Sequence, residues 1–164
     1  MKYSECLKEI AETLRSNASN EGDSSKKNAL NRSAVSKIYY ACMHWCAEIV
    51  ADVTDNQIDF RKHSTGTNYK IMSWVQSIPT NNYTNQTTLS RDYEDLRRKR
   101  NIADYKNRTL PESFVHEAFD IADRIFTFLD TSYVSKHQKD ITTEAQKASR
   151  KTKRAKPAPK GEKF

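Results

Sequence analysis

Between Leu30 and Val53 the apolar positions trace one unbroken helical stripe. Leu30, Ala34, Ile38, Cys42, Trp45, Ile49 and Val53 recur at steps of three or four, which places all seven on one side of an α-helix. Val35, Tyr39, Cys46 and Val50 widen that side into a face that can meet two neighbours at once. Neither Gly nor Pro interrupts the run. At 1.5 Å per residue such a helix is roughly 36 Å long, enough to cross a small domain. The pattern predicts the central helix of an all-α bundle.

Shorter patterns flank it. Cys6, Leu7, Ile10 and Leu14 predict a first helix from about Ser4 to Arg15, facing inward. Ser16 to Ser25 is small, polar and carries Gly22, so it reads as a loop, with Ser24 or Ser25 able to cap the central helix. Beyond Val53 a polar connection through Asp55, Asn56 and Asp59 reaches the charged phrase Phe60-Arg61-Lys62-His63-Ser64. A short helix is predicted from about Asn68 to Ser77, burying Ile71, Met72 or Trp74, Val75 and Ile78. Pro79 and the Asn/Thr-rich run to Thr88 predict a long surface loop.

Leu89 to Tyr105 is the next predicted helix, and its stripe contains an anomaly. Leu89, Tyr93, Leu96 and Ala103 share a face, and the position that should complete it, 100, is an arginine. A guanidinium on an apolar face is costly unless it is paired or placed at an interface. Lys106 to Leu110 is a loop, and Pro111 suits the first turn of a last helix, Glu112 to Leu129. Phe114, Val115, Ala118, Ile121, Ala122, Ile125, Phe126, Phe128 and Leu129 mark its apolar face. The expected fold is an antiparallel bundle of four to five helices. The presence of only 3 Gly and 4 Pro, and of no evenly spaced β-branched runs bounded by turn residues, argues against a sandwich or barrel.

Charge divides the chain. Ten of the 28 Lys/Arg but only three of the 21 Asp/Glu fall between Ser135 and Phe164, so the whole net charge of +7 resides there. The expected organisation is a helical domain over 1–134 and a basic, Pro-containing tail over 135–164 that is disordered when free. Cys6, Cys42 and Cys46 lie within apolar helical patterns, which predicts reduced core thiols and a cytoplasmic protein. No second Cys or His pair stands at metal spacing, so neither a zinc site nor any other metal or cofactor is expected. The charged N-terminus is not a signal peptide, and no apolar run is long enough to span a membrane.

Three phrases together resemble the HEPN domain family, in particular its small stand-alone members often encoded beside minimal nucleotidyltransferases. Ala34 to Trp45 (AVSKIYYACMHW) is similar to the family's central helix. Arg61 to Gly66 (RKHSTG) resembles the Lys-His-Ser turn that follows it. Leu96 to Tyr105 (LRRKRNIADY) resembles the Arg-x-x-Ala-Asp-Tyr phrase of one branch. The resemblance implies a helical bundle, usually a homodimer. It also implies metal-independent ribonuclease activity from an Arg-x(4–6)-His motif, in a defence or toxin–antitoxin setting, with a nucleotidyltransferase or antitoxin as partner. Arg100 matches the motif arginine and Asn101 the polar residue that often follows it. The motif histidine is absent, and Asp104 or Tyr105 stands in its place.

Candidate chemistry follows from these positions. Arg100 can donate two hydrogen bonds to a phosphate, or it can pair structurally with Asp104 one turn on. RNA cleavage without a metal needs one group to accept the 2′-hydroxyl proton and another to protonate the leaving oxygen. Tyr105 and Asp104 titrate far from neutrality in opposite directions, so His63 is the candidate proton carrier, with His44 a polar-face alternative. His116 and His137 have no supporting neighbours in the sequence. Tyr39 and Tyr40 suit either base stacking or helix packing. Lys62, Arg97 and Arg98 are candidate RNA contacts. In the tail Lys147, Arg150, Lys151, Lys153, Arg154 and Lys156 would bind phosphates without sequence preference. The alternative to a ribonuclease is a catalytically silent helical module that binds RNA or protein through the tail. A third reading, an accessory to a transferase, predicts saturable binding of a nucleoside triphosphate.

Overall fold

The computed structural model describes residues 2–54 and 83–131. By its internal contacts the chain divides into a compact unit, Met1–Asp130, and a second unit, Thr131–Phe164. Four helices and no strand are present among the described residues: α1 Tyr3–Asn20, α2 Ser24–Thr54, α3 Tyr83–Tyr105, and α4 over residues 112–131. The expected helix over 68–77, the phrase containing Lys62 and His63, and the tail lie outside the described residues.

Each helix begins or ends for an identifiable reason. At the start of α1 the Glu5 carboxylate accepts the Lys2 amide at 2.9 Å, satisfying a donor that no helical carbonyl can reach. The helix runs five residues past the expected end at Arg15. Ala18 is buried there and extends the Leu7, Ala11, Leu14 stripe by one more turn. Ser19 Oγ and Asn20 Nδ2 donate to the carbonyls of Arg15 and Ser16, both at 3.1 Å. Of the residues expected to face inward, Ile10 is 46% exposed, and Ala11 takes the buried place beside Leu7.

The cap of α2 is Asp23 rather than Ser24 or Ser25. Its carboxylate accepts the Lys26 amide at 2.8 Å and its carbonyl accepts the Lys27 amide at 2.8 Å. A carboxylate also suits the positive end of the helix dipole better than a hydroxyl does. With 31 residues, α2 is about 46 Å long. Val35, Ile38, Tyr39, Cys42 and Cys46 along it are almost completely buried.

Helix α3 begins at Tyr83, six residues before the expected start, so the latter part of the Asn/Thr-rich run is helical rather than loop. No Gly or Pro follows Pro79 until Pro111, so nothing in the backbone prevents the extension. The turn from α3 to α4 is held by α2. Arg32 Nη1 donates to the Lys106 and Arg108 carbonyls at 2.7 and 3.0 Å, and Asn28 Oδ1 accepts the Leu110 amide at 2.9 Å. Leu110 is thereby buried, and Pro111 opens α4 with its carbonyl accepting the Phe114 amide at 3.0 Å.

Cross-helix contacts fix the directions. Ser4 Oγ donates to Glu48 at 3.0 Å, so α1 runs antiparallel to α2. Tyr39 meets Tyr93 while Arg32 meets Lys106, so α2 and α3 are antiparallel. Asp92 meets Arg124 while Lys99 meets Glu117, so α3 and α4 are antiparallel as well. Leu7, Ala34, Ile38, Leu96, Ala118, Ile125 and Leu129 form the shared core. Phe119 also enters it, with the Arg15 guanidinium 4.6 Å from its ring centroid, and Phe126 lies 5.1 Å from Trp45. Across the α3–α4 seam Arg124 clamps the nearly buried Asp92 carboxylate with two hydrogen bonds of 3.0 and 2.8 Å, the strong forked geometry.

All three cysteines are free; Cys42 and Cys46 are buried and Cys6 is half-buried. Burial pushes the Cys46 thiol up to about 12 and raises Cys42 well above its ordinary value. The buried Tyr39 and Tyr93 phenols are raised too, burial being the main cause in each. A group that holds its proton more tightly when folded stabilises the fold until the unfolded chain begins to lose that proton. Stability should therefore be unaffected by these groups below about pH 8.5, the ordinary thiol range, and fall progressively as the pH rises beyond it. Urea titrations between neutral and alkaline pH will show that slope. A thiol reagent at neutral pH should label Cys6 alone, with Cys42 and Cys46 reacting only after unfolding.

Candidate functional site

The stripe on α3 that buries Leu89, Tyr93 and Leu96 carries Arg100 onto the seam with α2. There its side chain is only 14% exposed. Nη2 donates to the Tyr40 hydroxyl at 2.6 Å, Nη1 donates to Asn101 Oδ1 at 3.2 Å, and Nε lies 2.6 Å from Asp104 Oδ2. That last contact is an ion pair without a hydrogen bond: the buried Nε–H has no acceptor in line with it, despite the short distance. Asp104 also accepts from Ser36 Oγ at 3.5 Å, a long contact that ties it to α2.

Three tyrosines surround the charge. The guanidinium carbon is 5.2 Å from the ring centroids of Tyr40 and Tyr105 and 5.9 Å from that of Tyr39, all within cation–π range. Tyr39 is buried beneath and shares a hydroxyl contact of 3.3 Å with Tyr93, in which either can donate. Tyr105 is 71% exposed and forms the outer wall. Burial opposes the charge on Arg100 and is the largest single influence, but Tyr40, Asp104 and Tyr105 together outweigh it, and the pKa is raised. Arginine is therefore cationic here at every physiological pH. Beside Asp104 a groove of about 480 Å³ opens between α2 and the end of α3, lined in part by Arg32, Ser33, Ser36 and Lys37.

The structure brings together Arg100, Asn101, Asp104 and Tyr105, four of the residues singled out in the sequence. It adds Tyr40 as the hydrogen-bond partner of Arg100, a role that periodicity alone does not reveal. The available signal was Ser36 and Tyr40 standing one turn apart on α2, both polar beside a buried face.

The neighbouring cations are placed differently. Arg97 forks onto Glu94 at 2.9 and 2.8 Å. Arg98 pairs with Glu94 at 3.5 Å and Asp95 at 3.6 Å, and Lys99 reaches Glu117 at 2.6 Å while lying 4.2 Å from the Phe114 ring centroid. Every cation of the Arg97–Arg100 run thus has an acidic partner, and the cluster offers a nucleic acid much less net charge than its sequence suggests. The charges on acids three or four positions upstream and on α4 account for the difference.

Neither described histidine is carried to Arg100. His44 sets the edge of its ring against Tyr3 at 4.7 Å on the α1 side of α2, and burial, outweighing Glu48, holds its pKa below the ordinary value. His116 lies against Arg15, 2.8 Å from Nη2. His63, Lys62 and the six tail cations fall outside the described residues. Among the described residues no cluster of three or more His, Cys, Asp or Glu side chains is arranged to hold a metal, and no helix is long and apolar enough to cross a membrane.

Comparison with protein-family models, with curated proteins and with solved structures gives no match.

Two substitutions probe the cluster. Tyr40→Phe removes one hydrogen bond to a charged group and should lower unfolding stability by about 1–2 kcal/mol. Asp104→Asn keeps the shape but removes the counter-charge of a mostly buried guanidinium, and should cost about 1–3 kcal/mol. Urea denaturation of both, with circular dichroism confirming unchanged helix content, provides the check.

Proposed function

We propose that this chain is a HEPN-like, RNA-acting protein, working as a homodimer in the cytoplasm, and that Arg100 is the residue that grips an RNA phosphate. The observation that carries the reading is Arg100 itself: a permanently charged guanidinium held by Tyr40 and Asp104 beside the exposed ring of Tyr105. Tyr105 supplies a face on which a base can stack. A phosphate arriving at Arg100 would compete with Asp104 for the guanidinium, exchanging one anion for another. Asn101 offers a further polar contact from the same turn.

In its enzymatic form the protein is a metal-independent endoribonuclease of a defence or toxin–antitoxin system, restrained by a nucleotidyltransferase or antitoxin partner. Arg100 then stabilises charge that builds on the phosphate during cleavage. His63 carries the proton, since a histidine is the side chain whose ordinary pKa lies nearest neutrality.

A second reading has its own support. The acidic partners of Arg97, Arg98 and Lys99 leave the α3 surface nearly balanced, which suits a catalytically silent module whose grip on RNA comes from the basic tail.

The deciding experiment incubates the purified full chain with labelled RNA in EDTA, beside Arg100→Ala and His63→Ala. Discrete fragments from the wild type, lost by about 10²-fold or more in Arg100→Ala, are the expected result. Equal cleavage by wild type and Arg100→Ala would remove Arg100 from the site. Intact RNA in every lane, with RNA binding abolished by deletion of residues 135–164, would establish the silent module instead.

A further inference from the structure

On α2, Ala29, Ser33, Ser36 and Tyr40 follow one another at steps of four, three and four, and Lys37 adjoins the row one turn after Ser33. That spacing makes them one stripe of the helix. At one end Tyr40 holds Arg100. The remainder of the stripe forms a wall of the groove of about 480 Å³ that faces the end of α3. From Tyr40 to Ala29 the stripe is about 16 Å long. The side chains along it are mostly short, and two of them are hydroxyls. Ser33 Oγ makes no hydrogen bond among the described residues, and Ser36 Oγ makes only its long contact of 3.5 Å with Asp104. A hydroxyl so placed can donate to a phosphate oxygen or accept from a ribose hydroxyl.

The cations around this groove differ from the paired run on α3. Lys37, Lys106 and Arg108 are exposed, and none has a carboxylate within ion-pair distance among the described residues. Arg32 lines the groove as well, and its Nη1 partners are the neutral carbonyls of Lys106 and Arg108, at 2.7 and 3.0 Å, which do not cancel its charge. Those two hydrogen bonds also bring the turn after α3 to the edge of the groove. The one carboxylate among the described residues lining it, Asp104, lies 2.6 Å from Arg100 Nε and is offset by that arginine. Four positive charges therefore border one short groove without compensation, and such a field attracts a polyanion.

We propose that this groove is the path of a single-stranded RNA across the body of the bundle, leading from the Arg100 cluster to the turn between α3 and α4. The inference rests on the RNA-acting reading above but requires neither cleavage nor the basic tail. A phosphate beside the one at Arg100 lies against Ser36 and Lys37. The strand then passes Ser33 and reaches Arg32, Lys106 and Arg108. At the Arg100 end the 71% exposed ring of Tyr105 offers a face that only an unpaired base can use. That ring and the two serine hydroxyls favour RNA over an acidic peptide, which would engage the cations alone.

Fluorescence anisotropy of a labelled single-stranded RNA with the full chain, repeated over a series of salt concentrations, reads both the affinity and its salt dependence. Combining Lys37→Gln, Lys106→Gln and Arg108→Gln should weaken binding about tenfold or more. It should also lower the slope of log affinity against log salt by about 2, three phosphate contacts at roughly 0.7 each for a single strand. All three side chains are exposed, so the fold should be unaffected. Lys8→Gln removes a charge on the other side of the bundle, where Lys8 faces Asp123 at 3.8 Å, and should change neither quantity. Binding by the wild type that the triple substitution leaves unchanged overturns the groove while the RNA-acting reading stands. Absence of binding by the wild type overturns both. A loss in Lys8→Gln as large, per charge, as in the triple variant reduces the effect to overall charge and also overturns the groove. A polyglutamate peptide that binds the wild type more tightly than RNA, and is released by the triple substitution, reassigns the surface to an acidic protein.

Discussion

A guanidinium withdrawn from water must take its partners with it, and that requirement governs how α3 lies on α2. Arg100 is not an isolated charge in a core: the Tyr40 hydroxyl, the Asp104 carboxylate and three aromatic faces replace its hydration. Those partners come from two helices, so the register between α2 and α3 is constrained by polar geometry as well as by packing. Buried ion pairs contribute little net stability compared with apolar residues of the same volume, but breaking one is costly. The cluster therefore selects one arrangement of the seam more than it strengthens it, while Tyr39 and Tyr93 beneath it supply the apolar area.

The same accounting separates charges that act locally from charges that remain available. Along α3 the acids Glu94 and Asp95 and the α4 residue Glu117 absorb Arg97, Arg98 and Lys99 into ion pairs. Most of these are partly or largely exposed and contribute only modestly to stability. Their consequence is electrostatic: they flatten the field on that face. Arg32 is likewise occupied, closing the α3–α4 turn through two carbonyls. The Arg100 cluster, with its exposed outer tyrosine, lies against the middle of α2, and a separate cleft that includes Asn31 lies against its first turns.

These two places differ in how they are built. At Arg100 the charge is nearly saturated by the protein, and a ligand must displace Asp104, itself 23% exposed at the side chain. Around Asn31 the cleft is bordered by Arg15, which meets His116, and by Lys27, which pairs with the exposed Glu112.

Periodicity alone determined the all-α class, the long helix through Cys42, the helical face holding Leu89, Tyr93, Leu96 and Ala103, and the anomaly at position 100. Those features follow from local rules, a repeat near 3.6 residues and the absence of Gly and Pro, which need no knowledge of neighbours. The sequence pattern also brought Asn101, Asp104 and Tyr105 to the same turn as Arg100. It misjudged the ends of α1 and α3 because Ala18 and the Thr/Asn-rich run have weak or ambiguous propensities, which tertiary contacts overrule. It placed Ile10 inside because a side chain's identity does not say whether a partner helix covers it. Only the tertiary structure decided that Tyr40 holds Arg100, that the basic run is neutralised by acids on its own helix and on α4, and that Asn31, Lys27 and the start of α4 share one cleft. Those relations join residues many tens of positions apart, and only the packing of the helices brings them within hydrogen-bonding distance.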